Sequence, residues 1–457
     1  MQHPKVVVIG AGSLFFGRQA LWQMAHSDVL NVGTLAYVDN DPVNLGRMAT
    51  LARKVIDHTG VKLNLESSTN AREVLKDADF VIFSFADRSA KFRGIDCRVS
   101  AKYGIRMCSG DTIGPGGIFR VLREFPNIVK YCKDVEELCP DAWVINYINP
   151  TAANGLGIRI FAPNLKSFAL CDGLHMPRVK RAYAKRAGII ADDDGWNDEV
   201  DSKFDFLVAG PNHFTWLLKA EYEGEDKIPV IAEALKQFAA TETDGGDSGS
   251  KAKWNSSITY ALYKALGKVP TCTGHTKEYV RFWQGLGVTP EPVEPLSIWD
   301  TATRYERHSD MWRQVDAFNN GTTPINDFIT ELGPDHATDI IETMWGGLSK
   351  PFFINTANNG TLTNMPDDAF VEVLCDVSMD GPKPRPIGEA PVGLRALWQQ
   401  VLDTHELSVR AAMSGDRDLL FQAFICDPMV SSLADSEKII EELLEAERDA
   451  LPDYWFA

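Results

Sequence analysis

Residues 5–17 read KVVVIGAGSLFFG, a run of β-branched residues that ends in a glycine turn and continues into a helical pattern. The run from Lys5 to Gly12 predicts a buried strand with its turn, and Leu14 to His26 carries large apolar side chains at helical spacing. A second apolar run, Thr34 to Val38, then stops at Asp39. This order of strand, glycine turn, helix and strand predicts a βαβ unit at the start of the chain.

The glycine turn and the aspartate after the second strand together favour NAD as a bound cofactor. The two glycines allow the backbone to approach a pyrophosphate, which would lie at the N-terminus of the following helix. Asp39 is placed to accept hydrogen bonds from a ribose 2′-hydroxyl and to repel the 2′-phosphate of NADP. The turn departs from GxGxxG because Phe15 takes the third glycine's place, so a glycine turn with an incidental aspartate remains the alternative. We expect the cofactor to be bound by Gly10, Gly12, Ser13, Leu14, Phe15 and Asp39.

Apolar strands alternate with helical segments up to about residue 200, and longer helical stretches dominate afterwards. We therefore expect an α/β fold in which residues 1–200 form a Rossmann-like, doubly wound parallel sheet. Residues 201–457 are expected to form a second, mixed α+β, helix-rich lobe for substrate and metal binding and for oligomerisation. The strand at residues 167–170 runs directly into Cys171, which places this cysteine at the carboxyl edge of the sheet, where ligands bind in such folds.

The composition of the chain indicates which binding partners are unexpected and in which cellular compartment the protein is expected to be located. The chain has 457 residues and a formal net charge of −17, without a basic cluster that could neutralise a run of phosphates. Nucleic acid and anionic membranes are therefore unexpected partners. The eight cysteines lie far apart and include no CxxC pair, a pattern typical of the reducing cytoplasm, where we expect the protein to be located.

A second glycine turn occupies residues 111–117 and is flanked by Arg106, Arg120 and Arg123. Its backbone amides and the nearby guanidinium groups could hold substrate hydroxyls or an anionic substituent. A plain tight loop before a helix is the alternative.

Cys171, at the edge of the predicted sheet, and His213, in a later loop, offer one thiolate and one imidazole. Such a pair can bind a borderline divalent metal ion and still leave positions open for substrate oxygens. The spacing matches no zinc-finger pattern, so a buried cysteine with a structural histidine remains the alternative.

Taken in order along the chain, these motifs resemble those of the family 4 glycoside hydrolases, the NAD-dependent exception among glycosidases. NAD-dependent sulfoquinovosidases, which are related to that family, are similar as well. The resemblance covers nearly the whole length. It is carried by Gly-Ala-Gly-Ser with Phe15, Lys102-Tyr103-Gly104, Gly114-Pro115-Gly116-Gly117, Asn149-Pro150, the Cys171 segment, Asn212-His213, residues 274–279 (GHTKEY) and residues 355–368.

The resemblance implies roles for individual residues. Cys171 and His213 match the family's metal ligands, usually for manganese, and Asp172 matches the proposed general acid. Tyr279 matches the catalytic base, with His275 and Lys277 near enough in sequence to compete for that role. We expect the substrate to be bound by Asn149, Arg88, Arg93 and His275. The segment reads Cys-Asp-Gly-Leu-His-Met-Pro, longer than the common Cys-Asp-Met-Pro, so subgroup specificity does not transfer directly.

The implied reaction begins with hydride transfer from sugar C3 to NAD and continues with removal of the C2 proton and loss of the glycosidic oxygen. Water then adds to the eliminated sugar, and the stored hydride returns to C3, so that NAD is regenerated in each cycle. The expected substrate is an α-linked anionic hexoside (a uronide, a phosphoglycoside or a sulfoquinovoside) or an α-galactoside. An NAD-dependent sugar or hydroxyacid dehydrogenase that releases NADH is the alternative, and a non-catalytic sugar sensor is a more distant one. The resemblance also implies a homodimer or homotetramer.

Overall fold

The structure is a computed structural model that describes residues 3–12, 16–86, 88–107, 109–241, 252–280, 301–333 and 336–457; the side chains of residues 172, 238–241, 252–257 and 331 are outside this description. Within these ranges, no helix is both long enough and apolar enough to cross a membrane.

The described strands number thirteen and join into one sheet. They are β1 (Lys5–Ile9), β2 (Thr34–Val38), β3 (Asn64–Ser68), β4 (Phe80–Phe83), β5 (Trp143–Asn146), β6 (Lys166–Ala169), β7 (Phe204–Gly210), β8 (Trp216–Tyr222), β9 (Glu225–Asp226), β10 (Val269–Pro270), β11 (Pro351–Ala357), β12 (Phe370–Ser378) and β13 (Gly381–Pro384).

The α-helices in the described ranges lie on both faces and at the edges of this sheet. They are α1 (Phe16–His26), α2 (Pro42–Thr59), α3 (Ser89–Lys102), α4 (Gly114–Leu138), α5 (Thr151–Phe161), α6 (Arg178–Arg186), α7 (Asp198–Lys203), α8 (Ile228–Thr241), α9 (Ala252–Leu266), α10 (Thr273–Thr276), α11 (Thr301–Asn320), α12 (Ile325–Glu331), α13 (His336–Gly346), α14 (Val392–Ser414), α15 (Arg417–Cys426) and α16 (Leu433–Ala446).

The first six strands are parallel and lie in the order β3-β2-β1-β4-β5-β6. This is the strand order of the dinucleotide-binding Rossmann fold, with its ligand crevice where the order reverses between β1 and β4. The sheet is buried on both faces: Val6 and Val8 belong to one hydrophobic core, Val7 and Ile9 to the other. Burial on both faces explains why β1 is a continuous apolar run rather than an alternating one. The predicted α/β, Rossmann-like fold is confirmed.

The remaining strands extend the same sheet in antiparallel pairings. Strand β11 pairs with β6 through Asn355 and Ala169, and β12, β7, β8 and β10 follow in that order. The second half of the chain thus continues the sheet of the first half, at the side where Cys171 leaves β6. The division near residue 200 stays a prediction.

Most predicted elements agree with the structure to within about two residues at each end. Helix α2 begins at Pro42 because the Asp41 side chain accepts the backbone N–H groups of Val43 and Asn44, and proline suits the first turn of a helix. Strand β3, with the sequence NLESS, was not predicted because it is an edge strand with a polar, partly exposed pattern. The polar, glycine-rich composition of residues 241–250 predicts a surface loop, and from residue 242 onward this stretch lies outside the described residues.

Candidate active site

The glycine turn after β1 meets the aspartate after β2. Gly10 has a φ of +93°, and a Cβ atom there would lie 2.5 Å from the backbone nitrogen of Phe85. The backbone N–H of Gly12 donates to Asp39 Oδ2 across 2.8 Å. A Cβ atom at Gly10 would therefore collide with this backbone, and one at Gly12 would lie 2.7 Å from Asp39 Oδ2, so the packing of the turn requires glycine at both positions.

These contacts bring Gly10, Gly12 and Asp39 together at the crevice, and their predicted binding of the cofactor stays a prediction. Burial raises the pKa of the Asp39 carboxyl, against the backbone N–H groups of Asp41 and Gly12, which lower it. Ser13, Leu14 and Phe15 lie outside the described residues, so their predicted contacts with the cofactor stay predictions.

The two predicted metal ligands are in contact. Cys171 follows β6, and His213 follows β7. The Cys171 Sγ lies 3.5 Å from His213 Nδ1 and 3.4 Å from His213 Nε2. The thiol and the imidazole therefore share one side of the crevice rather than opposite sides. Asp172 begins a 3-10 turn, Asp172–Leu174, directly after Cys171.

The structure adds two donors that the sequence analysis did not assign to a metal. Cys272 Sγ lies 3.4 Å from His213 Nδ1, and the His275 ring stacks on the His213 ring at 4.2 Å with an interplanar angle of 10°. His213, Cys272 and His275 each offer a ligand atom within 4.8 Å of the others. The C-x-x-H spacing from Cys272 to His275 is the local signal that could have indicated this pairing.

The pKa values of the two histidines in this cluster shift in opposite directions. Burial alone would lower the pKa of His213, yet Cys272, Glu372 and Asp111 raise it to about 9. Burial and then the charge of His213 lower the pKa of His275. The groups around His213 therefore favour a positive charge on its imidazole. A bound metal ion could supply that charge in place of the proton.

Beside this cluster, the side chain of Asp111 contacts several buried polar groups. Its carboxylate lies 3.2 Å from Arg93 and 3.1 Å from Arg120, and it accepts hydrogen bonds from Ser109 Oγ at 2.6 Å and from the Asn149 side-chain amide at 3.3 Å. Burial would raise the pKa of Asp111, but the two guanidinium groups hold it well below its usual range. Two of the predicted substrate-binding residues, Arg93 and Asn149, thus meet at one carboxylate.

Glu278 connects this polar group to the histidines. Its Oε1 accepts the backbone N–H groups of Ser109 at 2.7 Å and Gly110 at 3.2 Å, and its Oε2 lies 3.7 Å from His275 Nδ1. The segment that carries His275 is therefore fixed to the segment that carries Asp111.

Helix α11 contributes a further cation that the sequence analysis missed. Burial and then repulsion from Arg93 lower the pKa of Arg304 to about 10, while Asp111 acts in the opposite direction. Burial and the charges of Arg304, Arg307 and Arg93 lower the pKa of His308 to about 4. No local pattern identified Arg304, because its role depends on α11 packing against α3.

Tyr279 is 1% exposed, and its hydroxyl lies against the backbone that carries His213. The hydroxyl donates to the carbonyl oxygen of Asn212 at 3.0 Å and accepts the N–H of His213 at 3.2 Å, while the ring stacks on Phe214. Burial raises the pKa of Tyr279 well above its usual value. Its predicted role as the base stays a prediction, and Lys277, one of its competitors, is as deeply buried as Tyr279.

Buried carboxylate Glu372 supports the loop that carries His213. Its Oε2 accepts the Asn212 side-chain amide at 2.9 Å. Burial raises the pKa of Glu372, which the hydrogen bond from Asn212 and the charge of His213 partly offset. Glu372 and Asn212 therefore orient the ligand loop from behind.

Other predicted cations lie in different surroundings. The guanidinium of Arg88 is bound to Asp449, 2.7 Å away, and that carboxylate is 54% exposed. Arg123, expected to flank the glycine turn as an anion-binding group, lies between Asp96 and Glu447. Those two carboxylates already neutralise Arg123, whereas Arg93 and Arg120 share Asp111. The predicted substrate contact of Arg88 stays a prediction.

Comparison with known proteins agrees with this arrangement along the chain. Residues 5–181 match the model of the family 4 glycosyl hydrolases, and residues 208–430 match that of the family 4 glycosyl hydrolase C-terminal domain. The chain belongs to the family 4 glycosyl hydrolases. The glycosidase class predicted from the sequence is confirmed.

Relatives of this family 4 glycosidase align over nearly their full lengths. A probable 6-phospho-beta-glucosidase of Bacillus subtilis is 29% identical over 99% of this chain and 98% of its own. An alpha-galactosidase of Bacillus subtilis is 28% identical, over 98% and 99%. An alpha-galacturonidase of Thermoanaerobacterium saccharolyticum is 27% identical, over 98% and 97%. These names span phosphorylated, neutral and carboxylated sugars.

Solved structures share the fold. A 6-phospho-alpha-glucosidase from gut microorganisms, solved in complex with NAD and Mn²⁺, superposes with a TM-score of 0.79 at 18% identity, covering 99% of both chains. At this identity the likeness shows the family 4 fold of the whole chain rather than its specificity.

Proposed function

We propose that this family 4 glycosidase hydrolyses an α-linked glycoside of an anionic hexose with bound NAD and a divalent metal ion. The observation that carries the proposal is the contact of Cys171 Sγ with both ring nitrogens of His213, at 3.5 and 3.4 Å. A thiolate and an imidazole at the carboxyl edge of a dinucleotide-binding sheet suit a metal that works together with the nicotinamide.

The donor set and the glycine turn both fit the proposed cofactors. The turn that Gly10 and Gly12 form would present backbone N–H groups to a pyrophosphate, and Asp39 would accept a ribose hydroxyl. Cys171 and His213 would hold the metal. When bound, NAD would oxidise sugar C3 and the metal would polarise the ketone, which makes the C2 proton acidic.

The chain's own residues would then move two protons. Tyr279, beside the backbone of His213, is the proposed base for the C2 proton, because a nearby cation lowers the pKa of a phenol that burial has raised. Asp172, adjacent to Cys171 in the chain, is the proposed acid that protonates the departing glycosidic oxygen. Asn149, held beside Asp111, would orient the sugar hydroxyls.

Charge near Asp111 supports an anionic substrate. Three guanidinium groups, those of Arg93, Arg120 and Arg304, act on one carboxylate, and Arg304 is repelled strongly enough by Arg93 to contribute to its lowered pKa. A carboxylate, phosphate or sulfonate on the sugar would relieve this repulsion and accept charge-assisted hydrogen bonds. A uronide, a phosphoglycoside and a sulfoquinovoside each meet that requirement, and an α-galactoside does not.

Turnover tests this proposal. The purified enzyme is assayed with NAD and Mn²⁺ on nitrophenyl α-glycosides that carry carboxylate, phosphate, sulfonate or no charge. We expect hydrolysis of one anionic glycoside without net NADH, loss of activity on chelation, and deuterium from solvent at C2 of the product. Steady NADH release without cleavage would instead indicate a dehydrogenase, and preference for the neutral galactoside would contradict the anionic assignment.

We further propose that the enzyme works in the cytoplasm as a homodimer or homotetramer. None of the seven cysteines in the described part of the chain takes part in a disulfide bond, which suits a reducing compartment. Size-exclusion chromatography with light scattering tests the oligomeric state, and a monomeric mass with full activity would contradict it.

A further inference from the structure

Helix α13 holds the first peptide group of the 3-10 turn Asp172–Leu174. His336, the first residue of α13, is buried, and its Nδ1 lies 3.1 Å from the carbonyl oxygen of Cys171. A carbonyl oxygen only accepts hydrogen bonds, so Nδ1 carries the proton and is the donor. Because the peptide group between Cys171 and Asp172 is planar, fixing its oxygen fixes the direction in which the chain enters the turn.

The same helix also holds the other end of this turn. His175 follows the turn directly, and its Nε2 lies 3.4 Å from Asp339 Oδ2. Lys350 binds the second carboxylate oxygen of Asp339 at 3.0 Å. The rings of His175 and His336 stack with their centroids 4.8 Å apart. His175 belongs to the part of the segment that makes it longer than Cys-Asp-Met-Pro, so this second support comes from the additional residues.

Helix α13 is itself fixed to the helix that follows the glycine turn. The backbone N–H of Ala337 donates to the Tyr147 hydroxyl at 2.8 Å, and the Tyr147 ring stacks on Phe16, the first residue of α1, at 4.1 Å. Farther along α13, Glu342 accepts hydrogen bonds from two side chains of α1, both at 2.9 Å. Helix α13 therefore connects the cofactor half of the crevice to the segment that leaves β6.

We propose that His336 and His175 are positioning residues for the general acid, and that α13 sets the place of Asp172 relative to the glycine turn. Gly173, the middle residue of the 3-10 turn, is exposed and has no side chain with which to hold the turn, so the supports at the two ends matter. An acid assists a departing oxygen only from hydrogen-bond distance, and a displacement of about 1 Å can cost roughly 100-fold in rate. This inference rests on the proposed function for the role of Asp172 as the acid.

Leaving groups of different basicity test the positioning. The anionic glycosides of the substrate panel are prepared as nitrophenyl and as methyl glycosides, and kcat is measured with NAD and Mn²⁺. Nitrophenolate departs without protonation, whereas the methyl glycoside needs a proton on its oxygen as the bond to C1 breaks. In His336→Leu we expect kcat to fall roughly 10- to 100-fold for the methyl glycoside and less than about threefold for the nitrophenyl glycoside, with KM unchanged.

Three comparisons separate positioning from a general loss of structure. His336→Asn should recover most of the turnover of the methyl glycoside, because an asparagine amide can donate from nearly the position of Nδ1. Glu342→Gln weakens the contact of α13 with α1 and should lower stability without changing the ratio of the two kcat values. In an Asp172→Asn background, His336→Leu should cause no further loss, because both changes act on one proton transfer. Equal losses on the two glycosides, or additive losses in the double variant, would overturn the proposal.

Hydrogen exchange of the protein without NAD, metal or glycoside gives a second measurement. The amide hydrogens of residues 172–175 should exchange roughly fivefold faster or more in His336→Leu, and at nearly the wild-type rate in His336→Asn. Where His336→Leu does not fold, His175→Ala takes its place in both measurements, because it releases the less buried end of the turn. Wild-type exchange rates in the folded variant would overturn the proposal.

Asp172→Asn distinguishes the two possible failures. If its kcat does not depend on the leaving group, the acid assignment of the proposed function fails, and the positioning proposal fails with it. If Asp172→Asn shows that dependence and His336→Leu does not, the acid assignment stands and only the positioning proposal is overturned.

Discussion

The carboxylate of Asp39 accepts the backbone N–H of Gly12 across 2.8 Å, so two adjacent parallel strands, β1 and β2, deliver the glycine turn and an acidic side chain to one point. Asp39→Asn keeps the shape and one acceptor but removes the charge. A hydrogen bond to a charged group contributes about 1.5–3 kcal/mol, so NAD affinity should fall roughly 10- to 100-fold. Calorimetric titration with NAD and NADP measures the change.

The same variant should lose discrimination against NADP, because the negative charge that repels a 2′-phosphate is gone. Asp57→Asn on α2, where the side chain is far from the strand ends, is a control that should leave both affinities unchanged. Equal loss of NAD affinity in both variants would contradict the role of Asp39.

Cys171→Ser should abolish metal-dependent activity and spare the fold, because a hydroxyl is a far weaker ligand than a thiolate. We expect turnover to fall roughly 100-fold or more, with an unchanged circular dichroism spectrum. Cys426→Ser should retain wild-type turnover. Full activity of the Cys171 variant in metal-free buffer would refute the assignment of this cysteine to the metal.

Arg304→Gln should weaken binding of the anionic glycoside without affecting a neutral one. Loss of a charge-assisted hydrogen bond corresponds to about 1.5–3 kcal/mol, which predicts a KM raised roughly 10- to 100-fold with a smaller change in kcat. Arg313→Gln, on the exposed side of the same helix α11, supplies the matched control. If KM for charged and uncharged substrates rises equally, Arg304 acts on the fold and not on the anion.

Arg123→Met should destabilise the protein by about 3–5 kcal/mol, because it leaves the buried carboxylates of Asp96 and Glu447 without their cation. Arg72 also binds two carboxylates, Asp134 and Glu137, but at the surface. Exposed pairs contribute little, so Arg72→Met should change stability much less. Denaturant unfolding of the two variants compares them, and equal losses would contradict the argument from burial.

Asp427 makes stability depend on pH. Burial raises the pKa of its carboxyl to about 7 in the folded protein, although the backbone N–H groups of Met429 and Gly114 oppose the shift. The folded state therefore holds a proton that the unfolded state has released between about pH 4 and pH 7. In that window this group lowers the stability by about 1.4 kcal/mol for each unit that the pH rises.

Asp427→Asn removes this titration but leaves one backbone N–H without its carboxylate oxygen. The variant should be less stable than the wild type near pH 5, and the difference should shrink as the pH approaches 7.5. Urea unfolding at several pH values measures this. A difference that is constant with pH would show that the carboxyl does not titrate in this range.

The sequence by itself determined the cofactor half of the molecule. The chain begins with an unbroken β-branched run and a glycine turn, which are followed by a helical pattern and a strand that stops before Asp39. Few folds bury all the apolar side chains of such a segment, and a parallel sheet covered by helices is one of them. The position of Cys171 at the carboxyl edge followed from the strand that precedes it. The pairing of Cys171 with His213 came from the order of motifs along the chain, because their spacing alone favoured no metal site.

Only the tertiary structure decided which groups complete the site. Cys272 lies beside His213 because strand β10 pairs with β8, and the charge of Arg304 acts in the neighbourhood of Asp111 because α11 packs on α3. Local periodicity records which face of an element is buried, but carries no information about which distant element covers it. The contact of Cys272 with His213 and the packing that brings Arg304 near Asp111 join segments far apart in sequence, so they exist only once these elements have assembled.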